Sequence, residues 1–179
     1  HWSRLVDAPI AAIVVGVSAL SGKPAVGEAA AMVVWPTLLM AMALAFMLRM
    51  ARAVGGDWAL LPSLLICAAA LHFGGAFTPG DLDHHNVQLT LTLAAMTALI
   101  TGRSHVAGII AGAACALMLA VGMETLPYVA LAGLIASAAF ALGGRPEAAK
   151  AAGFGIGLAG AGFAAFIASE IDKYAQVIR

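Results

Sequence analysis

Charge-free stretches recur along the chain at 29–48, 58–80, 86–102, 106–123, 125–144 and 151–169, the second interrupted only by His72. None shows the strict alternation of a half-buried strand. Each approaches the roughly 20 residues that a helix needs to cross a bilayer. Backbone groups in lipid must be paired within the segment, so the pattern predicts six transmembrane helices rather than barrel strands. An earlier apolar segment, 8–22, is shorter and carries Pro9, Gly16 and Gly22. It is read as an interfacial or re-entrant helix, with a seventh crossing as the alternative.

The links between runs are short. Gly55-Gly56, Thr101-Gly102-Arg103-Ser104 and Gly144-Arg145-Pro146-Glu147 each leave room only for a tight reversal, which predicts antiparallel neighbours. The expected fold is therefore an all-α polytopic transmembrane helical bundle. Residues 1–27 form an external loop with the short helix, 28–169 the six-helix region and 170–179 an external tail. Gly108-xxx-Gly112 and Gly153-xxx-Gly157 are small-residue spacings that permit close helix contact.

Composition agrees with this reading. The 179 residues are 63% hydrophobic and 10% charged, against about 25% charged in a soluble domain. Nine basic residues balance nine acidic ones, and no basic stripe is present, so nucleic acid is excluded as a partner. Cys67 and Cys115 both lie in apolar runs, as small buried side chains do. The chain starts at His1 without a secretory signal pattern and is expected to be a piece of a larger protein.

Alternating the six runs places Arg49, Arg52, Arg103, Arg145 and Lys150 on one side, with Asp57 and Glu147 as its acidic residues. Basic residues beside helix ends mark the cytoplasmic side. The opposite, external side then holds Asp7, Glu28, Asp81, Asp83, Glu124, Glu170 and Asp172 together with Arg4, Lys23, Lys173 and Arg179; it is periplasmic in a bacterium or luminal in a eukaryote, and a bacterial inner membrane is expected. Acidic residues contribute little to topology, so their accumulation there calls for another explanation.

The candidate chemistry concentrates in Phe77-Thr78-Pro79-Gly80-Asp81-Leu82-Asp83-His84-His85-Asn86-Val87-Gln88. Carboxylates and imidazoles together are metal ligands or acid–base groups. Pro79-Gly80 predicts a turn back toward the membrane. Asp83 and Asn86 then lie near the start of a helix, whose free amides and positive end suit an anion such as phosphate. Simple capping by Asp83 or Asn86 is the structural alternative. Adjacent residues diverge on a helix, so His84 and His85 are not expected to share one ion. A hard cation at Asp83, Mg2+ or Mn2+ facing a substrate phosphate, is preferred to zinc. Two further polar points share the external side: His1 to Asp7, which includes Arg4, and Glu124, the one charge between the fourth and fifth runs. Glu124 is read either as a partner of the helix dipole or as a base.

At Gly80-Asp81-Leu82-Asp83-His84-His85-Asn86 the chain resembles the catalytic subunit of oligosaccharyltransferases, membrane glycosyltransferases of the GT-C fold. In that family an external loop carries a glycine, two residues and an acidic pair spaced by one residue before a transmembrane helix. Asp83 takes the place of the first acidic residue. His85 stands where the second would be, a departure that replaces carboxylate with imidazole. The family's acidic motif of the first external loop and its acceptor-recognition domain have no counterpart here. The resemblance implies a GT-C-like bundle and a lipid-linked sugar donor, polyprenyl phosphate or diphosphate, lying among membrane lipids. It implies Mg2+ or Mn2+ held by Asp83, with His85 and Asp81 assisting. Arg4 and Asn86 would meet the phosphate, and His84 or Glu124 would serve as base toward an acceptor that the sequence leaves open. The competing classes are an ion-coupled transporter, for which the inverted repeats are missing, and a non-enzymatic assembly subunit, which leaves the Asp/His cluster unexplained.

Overall fold

A computed structural model describes the backbone of residues 4–177 and the side chains of residues 5–169. The described chain is all-α, without strands: α1 (Arg4–Ser21), α2 (Pro24–Gly55), α3 (Leu60–Phe73), α4 (His84–Thr101), α5 (His105–Val121), α6 (Leu126–Gly143) and α7 (Arg145–Val177). Short 3-10 turns at Asp57–Ala59 and Met123–Thr125 lead into α3 and α6. Among the described residues three helical segments are long and apolar enough to cross a membrane: Pro24–Gly55, Met123–Gly143 and Arg145–Ser169. Leu5–Ser21, Asp57–Phe73 and His105–Val121 are apolar but shorter. Large apolar side chains such as Val15, Leu20, Leu65, Ile66 and Leu142 face outward, the pattern of a membrane protein. The expectation of six full crossings is thus met at full length and apolarity by three helices.

The run at 58–80 shows where apolarity misleads. Its helix stops at Phe73, because Gly74 and Gly75 close the last turn and Gly75 adopts φ +76°. Ala76 and Phe77 extend the apolar run but belong to the loop that follows. Phe77 is buried with Trp35, Leu39, Ala43 and Leu71 in the core around α2. Its apolarity pins a loop instead of lengthening a helix.

The chain divides into two compact units, residues 1–93 and 94–179, with α4 passing from the first into the second. In the first unit α1 and α2 form a hairpin about Gly22 and Lys23. Gly27 lets the two helices close, since a β-carbon there would collide with Ser18 Oγ and the Val14 carbonyl. Pro36 lies inside α2. A helical proline has no N–H for the carbonyl four residues earlier, here that of Met32. The Met32 oxygen accepts instead from the Gly80 N–H at 2.8 Å. The α3–α4 loop is thereby fastened to α2 at the gap the proline opens.

In the second unit α5 and α7 run parallel with their backbones in contact. A β-carbon at Gly108 would strike the Lys150 carbonyl, and one at Gly112 that of Phe154. Reciprocally, β-carbons at Gly153 and Gly157 would strike the carbonyls of His105 and Ile109. The two glycine pairs seen in the sequence therefore face each other, as small-xxx-small spacing permits. At one end of this unit Lys150 is buried and donates to the Leu99 carbonyl at 3.3 Å and to Glu147 at 2.7 Å. Leu99 lies in the last turn of α4, where carbonyls lack helical partners. A buried ammonium is tolerable there because it is both paired and hydrogen-bonded.

Candidate metal centre

The loop 74–83 is built to deliver a fixed chain end to α4. Thr78-Pro79-Gly80-Asp81 makes a turn closed by the Asp81 N–H on the Thr78 carbonyl at 2.9 Å. Proline sets the first central position, and Gly80, at φ +94°, occupies the second, where a β-carbon would be strained. The Asp81 carboxylate then turns inward along its own chain, its Oδ1 accepting from the Asp83 N–H at 3.1 Å. Its carbonyl accepts from Asn86 Nδ2 at 2.9 Å. Leu82 and Val87 pack against the α2 core on either side of the polar residues. The local sequence thus alternates anchors with chemistry.

Asp83 precedes the helix and His84 and His85 begin it. Asp83, His84 and His85 each offer a ligand atom within 4.8 Å of the others. His84 Nδ1 lies 2.5 Å from Asp83 Oδ1, and His85 Nε2 lies 3.9 Å from Asp83 Oδ2. The two imidazoles are tilted by 37°, with ring centroids 4.2 Å apart. This differs from the divergence expected of neighbours on a helix. At the first two helical positions both rings still reach the carboxylate that precedes them. His85 Nδ1 is held at 3.0 Å by Gln88 Oε1, one helical turn on.

The other candidate residues are distributed differently. Asp81 is taken up by the turn. Asn86 is buried, and its Oδ1 has no hydrogen-bond partner among the described residues. Thr90 donates to the Asn86 carbonyl at 2.8 Å, continuing a polar line down α4. Arg4 opens α1, with its side chain outside the described residues. Glu124 belongs to the second unit, exposed in the 3-10 turn before α6.

Two contributors went without a role in the sequence reading. Gln88 was signalled by its three-residue spacing from His85 on a helix. Met32 was signalled by Pro36 four residues later, although the identity of its new partner is a tertiary fact. Comparison with protein-family models, with curated proteins and with solved structures finds no match to this chain.

The donor set of one carboxylate and two imidazoles suits a divalent ion that accepts nitrogen as well as oxygen, Mn2+ or Zn2+, better than Mg2+ with its preference for oxygen. The Asp83–His84 contact has a second chemical meaning. It sets a carboxylate beside one ring nitrogen of His84, an arrangement that can bias the imidazole toward acid–base work.

Proposed function

We propose that this protein is a metal-dependent membrane transferase, GT-C-like in architecture, that moves a sugar from a polyprenyl-phosphate-type donor at the external, periplasmic face. The single observation that carries the reading is the convergence of Asp83, His84 and His85 ligand atoms within 4.8 Å at the start of α4. The motif resemblance from Gly80 to Asn86 supplies the reaction class. When bound, a divalent cation such as Mn2+ neutralises phosphate charge as the glycosidic bond to the donor breaks.

The residues of this chain divide the work. Asp83 Oδ2 and His85 Nε2 hold the cation. Asp81 fixes the turn that carries Asp83. His84, oriented by Asp83 Oδ1, is the nearest base for the acceptor's proton. Arg4 is the proposed phosphate donor from α1, Asn86 a polar contact beneath the donor headgroup, and Glu124 the alternative base. The transporter reading loses support along α4. There Thr90, Thr92 and Thr101 donate to carbonyls four residues earlier, and Thr90 also reaches the Leu39 carbonyl of α2 at 3.5 Å, so these three hydroxyls are engaged by backbone.

The test uses the full-length protein in nanodiscs with polyprenyl-phosphate- and diphosphate-linked sugars, with Mn2+, Mg2+ or EDTA. Transfer should require the metal, fall to background in Asp83→Asn and fall less in Asp81→Asn. Donor consumption unaffected by EDTA, or no consumption of either donor under any metal, would overturn the reading.

A further inference from the structure

We propose that Gln88 is the positioning residue of the metal centre: its side-chain carbonyl fixes His85 in the Nδ1–H form and so presents the Nε2 electron pair toward Asp83. The inference rests on the metal-site reading above and adds the group that makes His85 a competent ligand.

The argument begins with hydrogen-bond inventory. A neutral imidazole has one N–H and one lone pair, and the partner of one nitrogen decides which is which. Gln88 Oε1 is an acceptor only, so His85 Nδ1, 3.0 Å away, must donate to it. The lone pair then resides on Nε2. That atom lies 3.9 Å from Asp83 Oδ2, too far for a hydrogen bond. Two atoms each about 2.1 Å from a common ion lie roughly 3.0–3.4 Å apart at octahedral or tetrahedral angles. The gap is about half an ångström wider, so a cation there would draw the two side chains together by that much.

Gln88 is suited to this role by its position. It is 5% exposed, although it follows directly on the exposed His85 turn, and it sits on the rigid part of α4 rather than on the loop. A buried amide is costly unless it is hydrogen-bonded. Leucine would pack there without that cost, so the choice of an amide needs a polar task. The neighbouring His84 has its own arrangement, with Nδ1 on Asp83 Oδ1 at 2.5 Å. The two rings thus face different groups: the Asp83 carboxylate as an ion-pair contact for His84, the Gln88 side-chain carbonyl for His85. Metal-bound histidines generally pass their second N–H to such an acceptor, and losing it costs about 10–100-fold in metal affinity.

The experiment reads tautomer and affinity separately on the full chain in nanodiscs. Imidazole 15N shifts of the metal-free protein report which nitrogen of His85 bears hydrogen, and Mn2+ titration followed by electron paramagnetic resonance reports affinity. Wild type should show the Nδ1–H form. Gln88→Leu should lose that preference and bind Mn2+ about 10–100-fold more weakly. Gln88→Glu, which keeps the acceptor, should restore the tautomer and most of the affinity. An Nε2–H form in wild type, or wild-type Mn2+ affinity in Gln88→Leu, overturns the proposal while leaving the metal site standing. Absence of Mn2+ binding in a wild type that shows the Nδ1–H form overturns both, and places the fault in the metal reading. Misfolding of Gln88→Leu is judged by circular dichroism, and the wild-type tautomer with the Gln88→Glu affinity then decides.

Discussion

The two units bring helices and loops into backbone contact by opposite means. In the second, Gly108, Gly112, Gly153 and Gly157 remove side chains so that the carbonyls of one helix meet the surface of the other. The product of that approach is packing. In the first, Pro36 removes an N–H, and the orphaned Met32 carbonyl takes the Gly80 N–H from a loop. A broken helical bond becomes a tertiary one, and the loop so fastened ends at Asp83, next to His84 and His85 at the start of α4. Glycine that only subtracts bulk gives a scaffold. Proline that frees a carbonyl gives a fixed point on which polar residues are mounted.

This contrast is broken most severely in the second unit. Gly157→Leu forces a side chain into the Ile109 carbonyl and should destabilise the protein by about 3 kcal/mol, the upper range for overpacking. Gly155→Leu, two residues away with open space around it, should stay within about 0.5 kcal/mol. Denaturant titration in mixed micelles measures both, and equal effects would deny that α5 and α7 depend on backbone approach. Next in size is Lys150→Met, which strips the Leu99 carbonyl and Glu147 of their shared donor. A cost of about 2 kcal/mol is expected in the same assay, with partial recovery when Glu147→Leu is added.

The smallest effect sharpens the first unit's side of the comparison. Pro36→Ala restores an N–H that competes for the Met32 carbonyl, so the Gly80 amide should exchange faster with solvent. One such bond is worth about 1 kcal/mol, hence roughly fivefold in Gly80 protection and in Mn2+ affinity. Stability of the whole protein should hardly change, because the helix gains what the loop loses. Unchanged Gly80 exchange would show that the loop is held by Phe77 and Leu82 alone.

How far the sequence discloses the molecule follows from which features are local. The helices were legible from charge-free runs, and both glycine pairs from their spacing, because each is encoded within one segment. The end of α3 was less legible: hydropathy cannot distinguish an apolar helix residue from Phe77, an apolar loop residue whose burial depends on Trp35 and Leu39. Asp83 stood out because a carboxylate beside histidines is rare in so apolar a chain. The approach of the His84 and His85 rings was hidden, because a rule for the helix interior was applied to its first two residues. The task of Asp81 was hidden as well, since its carboxylate could serve either a metal or the turn, and only geometry commits it to the Asp83 N–H.

The central claim is that Asp83 and His85 hold a divalent cation, and Mn2+ titration of the full-length protein against Asp83→Asn tests it most directly. Asparagine preserves size and most turn geometry while removing the negative charge. Outer partners of a metal site are worth about 10–100-fold in affinity, so loss of the carboxylate ligand itself should exceed roughly 100-fold. Circular dichroism and elution volume should stay those of wild type. A folded Asp83→Asn protein that binds Mn2+ as tightly as wild type would contradict the account.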